Sequence, residues 1–136
     1  MNTEALAAGA AQGLTYDHFI ENLRDPDVQG PLLSPRRFSD ALHIDLQTLA
    51  EQAGVHRNTI ARAPSSATVQ HFLRDALRVI KAATDVADGD LDRALFWYRN
   101  HPLAAFDYRT PEQLVTARRT DDLLRYTASL MAGAAG

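Results

Sequence analysis

Between Ser66 and Asp88 the apolar residues return every three or four positions without a break. Val69, Phe72, Leu73, Ala76, Leu77, Ile80, Ala83 and Ala87 fall on one side of a 3.6-residue repeat, while Gln70, His71, Arg74, Asp75, Arg78 and Lys81 point away from it. A helix of this size is about 30 Å long at 1.5 Å per residue, enough to cross a small domain, and is expected to be the spine joining its two ends. No other stretch of the 136 residues is as regular, and none reads convincingly as a strand. The chain is therefore expected to be all-α.

Local signals divide the flanks. Residues 1–14, mostly Ala, Gly and Gln, read as a low-complexity tail. Thr15 can cap a first helix in which Tyr16, Phe19, Ile20 and Leu23 share a face, and Asp25-Pro26 stops it because a residue before proline is pushed out of the helical region. A turn-rich connector over 25–33 leads to Ser34-Pro35, an N-cap with proline at the first helical position, and a second helix to about His43. Asp45 caps a third, Leu46 to Ala53, which Gly54 ends; a short helix from His56 to Ala63 is closed by Pro64. Beyond the spine, Asp88-Gly89-Asp90 breaks the chain and Leu91 to Arg99 form another helix. Residues 100–109 read as a loop held by apolar anchors, and Thr110-Pro111-Glu112-Gln113 is a capping box. Thr120-Asp121-Asp122 opens a last helix to about Met131. Phe96, Trp97 and Tyr98 cannot all face one core, so two are expected to pack inward and one to look elsewhere.

Charge narrows the possible roles. The formal net charge is −3, but residues 31–64 hold Arg36, Arg37, Arg57 and Arg62 against Asp40, Asp45 and Glu51, the only stretch with a positive balance. The absence of cysteine removes disulfides, thiolate zinc sites and thiol nucleophiles. His18, His43, His56, His71 and His101 share no helical spacing, and Asp85, Asp88, Asp90 and Asp92 lack the Gly and terminal Glu of a calcium loop, so no metal is expected. No phosphate-binding glycine loop or hydrolase motif occurs. No apolar run approaches the roughly 20 residues that span a bilayer, and the start lacks a basic-then-apolar leader. A cytoplasmic protein without membrane contact or cofactor is expected.

The positive stretch contains a unit from Leu49 to Arg62. Two helices crossing steeply need a small residue where they touch, a glycine at the turn and apolar residues that lock the second onto the first; Ala50, Gly54, Val55, Ile60 and Ala63 stand in that order. In a DNA-binding helix-turn-helix the first residues of the second helix enter the major groove. Here they are His56, Arg57, Asn58 and Thr59, with Arg suited to guanine, Asn to adenine and Thr to either or to a thymine methyl. Arg36, Arg37 and Arg62 are placed to meet phosphates. The other reading is a packed helical corner with a polar exterior. Helix-turn-helix proteins usually pair, so a homodimer is expected, and the helix at 16–23 could pack on its own chain or on a second copy.

The order of residues after the spine adds a resemblance. Ala94 and Trp97, then Asn100-His101-Pro102-Leu103, Phe106, Thr110-Pro111-Glu112-Gln113-Leu114-Val115, a short polar link, and Leu123-Leu124-Arg125-Tyr126 to Leu130 and Gly133 resemble the toxin-binding domain of the Xre/MbcA/ParS antitoxins, in which an Xre-like helix-turn-helix comes first. The likeness covers roughly residues 34–133. The chain departs from it at Asp107-Tyr108-Arg109 and Ala117-Arg118-Arg119, where family members often carry glycine.

The resemblance implies an antitoxin of a type II toxin-antitoxin system, with an Xre-like domain at 15–64, the spine and toxin-binding domain at 65–133, and a tail at 134–136. Its partner would be a RES-domain toxin, an enzyme that consumes NAD or transfers ADP-ribose from it. The antitoxin would block that enzyme's cleft, carry no catalytic residue of its own, and with the toxin repress its operon through the helix-turn-helix. The surface so implied comprises Asn100, Phe106, Tyr108, Arg109, Arg118, Arg119, Tyr126 and the end from Gly133 to Gly136, expected as a thin, side-chain-poor strand whose carboxylate could enter a phosphate-binding pocket. The rival readings are a stand-alone helix-turn-helix regulator without a toxin partner, and a small enzyme built on the 100–109 loop.

Overall fold

In the computed structural model the described residues are 16–28 and 30–135, with side chains through Gly133. The low-complexity tail, the Thr15 cap and Gly136 lie outside them. Among the described residues the chain is all-helical, with two isolated bridges, Arg24 to Leu33 and Leu103 to Arg109, and no strand. The helices are α1 (16–23), α2 (Pro35–Leu42), α3 (Leu46–Ala53), α4 (Arg57–Arg62), α5 (Ala67–Val86), α6 (Leu91–Asn100), α7 (Pro111–Thr116) and α8 (Thr120–Ala135), with a 3₁₀ turn at Ala104–Phe106. None of them is long and apolar enough to cross a membrane.

The helix starts are written locally. The Ser34 hydroxyl accepts from the Arg37 N–H at 3.2 Å and the Asp45 carboxylate from the Thr48 N–H at 2.7 Å. Thr110 and Gln113 complete both halves of the capping box, at 3.2 and 2.9 Å. Each such cap contributes about 1 kcal/mol.

The spine is α5, which packs chiefly on α6 and α8 and also touches α2, α3 and α7. Its expected apolar face is buried, with Val69, Leu73, Ala76 and Ile80 fully so. One residue expected to face solvent does not: Gln70 is buried. Its amide accepts from the Leu33 N–H (3.0 Å) and donates to the carbonyls of Leu33 (2.8 Å) and Pro64 (2.9 Å). The connector wraps the far side of α5, and a glutamine there can satisfy backbone groups that would otherwise be buried unpaired, each at a cost of about 1–3 kcal/mol.

α1 packs on its own chain. Leu23 is buried, and the Tyr16 hydroxyl donates to the Leu77 carbonyl at 3.3 Å. Burial first, then Asp85 and Asp17, push that phenol up to about 12. The aromatic run divides as its spacing requires: Tyr98 is buried, Trp97 half-buried and Phe96 68% exposed. The core is one cluster extending from Leu23 through the spine to Leu114 and Leu123.

Two boundaries differ from expectation. α6 takes in Asn100, and α8 continues past Met131 through Gly133 to Ala135. The expected thin strand over 133–135 is thus helical, because two alanines, the strongest helix formers, carry the helix across a single glycine.

Candidate functional site

α3 and α4 are joined by Gly54-Val55-His56. Gly54 has φ +74°, its N–H donates to the Glu51 carbonyl and the Val55 N–H to the Ala50 carbonyl, a Schellman ending that turns the chain sharply. Ala50, Ala53 and Ile60 are buried at this corner. A Cβ at Gly54 would also stand 3.3 Å from an Arg118 side-chain nitrogen, which can shift, so the positive φ is what calls for glycine here.

The corner presents His56, Arg57 and Asn58 at the surface, with Thr59 half-buried. His56 is the N-cap, its Nδ1 accepting from the Asn58 N–H at 3.1 Å, which leaves Nε2 as the free donor of the neutral ring. Arg57 and Arg62 join no ion pair among the described residues. α4 itself is only six residues, about 9 Å of helix. Arg36 is exposed, whereas Arg37 donates to the Asn22 carbonyl at 3.0 Å and so ties α2 to α1. Both arginines border a cleft of about 320 Å³ against Ile60 and Ala61, together with Asp25 and Asp27, whose charge opposes phosphate there. The Asp45 carboxyl is held below its ordinary range, chiefly by the Thr48 N–H and then by the Thr48 side chain, with Arg57 adding a smaller pull.

At the other end, the residues implied by the resemblance fall into two groups. Tyr108 is 71% exposed and Asn100 is exposed, its amide donating to the Phe96 carbonyl at 3.1 Å. Phe106, Arg109, Arg118, Arg119 and Tyr126 are engaged with the chain itself, Arg118 while remaining exposed. Phe106 meets Tyr126 edge-on at 5.7 Å, and the Arg119 guanidinium lies over Phe106 at 5.2 Å while bonding Asp122 at 3.0 Å. Arg109 donates to the Phe106 carbonyl at 3.3 Å. Arg118 lies over the Phe72 ring and donates to the Ala53 carbonyl at 2.8 Å. Gly133 is inside α8 with open space around it, and Gly136 lies outside the described residues.

No family model, curated protein or solved structure matches the chain. Its chemistry is read from its side chains alone.

The backbone supplies a further fact. Asp107, Tyr108 and Arg118 have φ of +56°, +64° and +64°, the left-handed region that favours glycine. At Tyr108 and Arg118 this costs about 1–2 kcal/mol, and less at Asp107, since aspartate visits this region more readily. At Arg118 the retained side chain has visible work, since it closes the last carbonyl of α3. At Tyr108 an exposed aromatic ring is held out by a strained backbone.

Sequence reasoning missed Gln70 and Arg99. Arg99 donates to the Leu42 carbonyl at 2.6 Å and pairs with Glu112 at 3.2 Å. With Arg118 it forms a matched pair, each guanidinium meeting the last carbonyl of one helix of the amino-terminal half, where a cation is favoured by the helix dipole. Neither contact has a local signature, as its partners stand 57 and 65 residues apart.

Proposed function

We propose that this chain is an antitoxin of the Xre/MbcA/ParS kind, which binds DNA through the α3–α4 corner and a RES-domain, NAD-using toxin through its carboxy-terminal half, repressing its operon as it does so. The observation that carries the reading is the left-handed backbone at Asp107, Tyr108 and Arg118. They fall in the two segments where the resemblance implies glycine, while His43 and Asp88 adopt the same conformation at helix ends elsewhere. The exposed Arg57 and Asn58 at the start of α4, next to a glycine turn, support the DNA-binding half.

Of the implied toxin-facing side chains, Tyr108 is exposed and has no partner among the described residues, so it is taken as the anchor, since aromatics are enriched among interface hot spots; Asn100 and Arg118 are exposed as well but each bonds a carbonyl of its own chain. The decisive experiment is co-purification with the product of the neighbouring gene, followed by an NAD-turnover assay with and without this chain. Stable co-purification and suppressed turnover are expected, and Tyr108→Ala should weaken suppression while leaving the fold intact. Full NAD turnover in the presence of excess chain would overturn the reading. The engagement of Phe106, Tyr126, Arg118 and Arg119 in the chain's own packing favours a second reading, a stand-alone helix-turn-helix regulator. That reading requires operator binding with no toxin partner at all.

A further inference from the structure

The helix that presents Arg57 and Asn58 has little support of its own. α4 is six residues long and packs chiefly on α3, so its direction is set by the turn between them. Within that turn the N–H groups of Gly54 and Val55 answer the carbonyls of Glu51 and Ala50. The carbonyl of Ala53, the last residue of α3, is answered from 65 residues away, by the Arg118 guanidinium at 2.8 Å. Among the described residues Arg118 is the only side chain from outside residues 45–62 that hydrogen-bonds to α3, α4 or their turn. The bonding nitrogen also lies against Gly54, 3.3 Å from where a Cβ would stand, and the guanidinium carbon is 5.5 Å from the centre of the Phe72 ring on the spine. One planar cation thus joins the α7–α8 link, the spine and the corner.

The side chain does nothing for its own helix. Arg118 follows α7 with φ +64°, its N–H donating to the Val115 carbonyl and the Arg119 N–H to the Leu114 carbonyl, an ending that glycine makes without strain. What the arginine adds is directed at Ala53 and Phe72 alone. A side chain that reads a base edge must be held to within about 0.5 Å by the residues around it. At the α3–α4 turn that outside support is Arg118.

We infer that Arg118 is a positioning residue for the corner: through the Ala53 carbonyl it fixes the angle at which α4 presents Arg57 and Asn58 to base edges, without touching DNA itself. The inference rests on the DNA-binding reading and is independent of the toxin reading. It makes the α7–α8 link, in the carboxy-terminal half, a working part of the surface that reads sequence.

The test uses the full chain, with a duplex that the wild type selects from a random-sequence pool and a shuffled duplex of the same composition. The ratio of the two affinities is measured well below the melting temperature of every variant. Arg118→Ala and Arg118→Gly should both lower that ratio by about tenfold, on the order of one misplaced base contact, although glycine relieves the backbone strain and leaves the more stable protein. In the double variant of Arg57→Ala with Arg118→Ala the loss should fall short of the sum of the single losses, because the placement of Arg57 no longer matters once it is gone. Losses that add in full would mean that Arg118 contacts DNA directly and would overturn the positioning role. So would a ratio unchanged in both variants, or one that tracks stability, with Arg118→Gly close to wild type and Arg118→Ala not. Each of these leaves the DNA-binding reading standing, since the wild type has then selected a duplex; a wild type that selects none overturns both.

Discussion

Arg57 and Arg62 at the corner stand free of any carboxylate or carbonyl partner among the described residues, whereas Arg99 and Arg118 in the carboxy-terminal half are each bonded to the end of a helix. The same residue type thus serves two ends of one molecule in opposite ways. A guanidinium held at a helix carboxy terminus stabilises the fold and is lost to any partner; one left in solvent adds little to stability and keeps all five donors for something else. The difference between the ends lies in what the surrounding carbonyls offer, and no count of charges along the sequence could have separated them.

The contrast can be broken at Phe106. It meets Tyr126 edge-on and carries the Arg119 guanidinium over its ring, so Phe106→Ala should cost about 2–3 kcal/mol of unfolding free energy, below the roughly 3–5 kcal/mol of a fully buried phenylalanine because the ring is only half-buried. Chemical denaturation measures this directly. A loss under about 0.5 kcal/mol would mean the ring is available to a partner after all.

At the corner the effect should move from stability to recognition. Arg57→Ala is expected to leave unfolding within about 0.5 kcal/mol of wild type, yet to relax preference at one base pair by about 1–3 kcal/mol. Arg36→Ala should instead weaken all sequences alike and flatten the salt dependence. Titrations with variant duplexes at two salt concentrations separate the outcomes, and a protein that ignores all of them has a merely structural corner. Arg118→Ala is the counterpart: it should cost about 1–2 kcal/mol of stability through the lost Ala53 bond and the Phe72 contact. Arg118→Gly should cost less than Arg118→Ala, because glycine relieves the left-handed strain.

These pairs also mark what a reading of residues alone could reach. The spine, the caps at Ser34, Asp45 and Thr110, and the turn at Gly54 were legible because each depends on neighbours within four residues. Gln70 was misread because its polarity matched the solvent side of a helix whose solvent side is covered by a distant connector. Arg118 was legible as a charge but not as a tie, since its partners Ala53 and Phe72 are set by tertiary placement; Arg119 pairs locally with Asp122, and only its contact with the Phe106 ring escapes the spacing. Tyr108 was visible as a loop aromatic, and only the backbone angle shows that its position is held under strain.

The smallest expected difference between the two ends is in acid. Asp45 at the corner and Asp122 on α8 both have carboxyls held below their ordinary value near 3.8, Asp45 mainly by the Thr48 N–H and Asp122 mainly by the hydrogen bond from Arg119, with Arg125 assisting. A carboxyl whose folded value is lowered contributes stability that is fully present above the unfolded value and is lost as pH falls through the folded one. Both contributions should therefore be intact at neutral pH and disappear below about pH 4. The two should part on substitution. Asn caps a helix about as well as Asp, so Asp45→Asn should flatten the acid limb slightly with little loss at pH 7, while Asp122→Asn should also weaken the hold on Arg119 over Phe106. Because Asp45→Asn removes a negative charge that Arg57 feels, it should also strengthen binding to any duplex at low salt. If it instead leaves DNA binding untouched, Arg57 does not approach phosphate or base, and the corner loses its claim to be the free end.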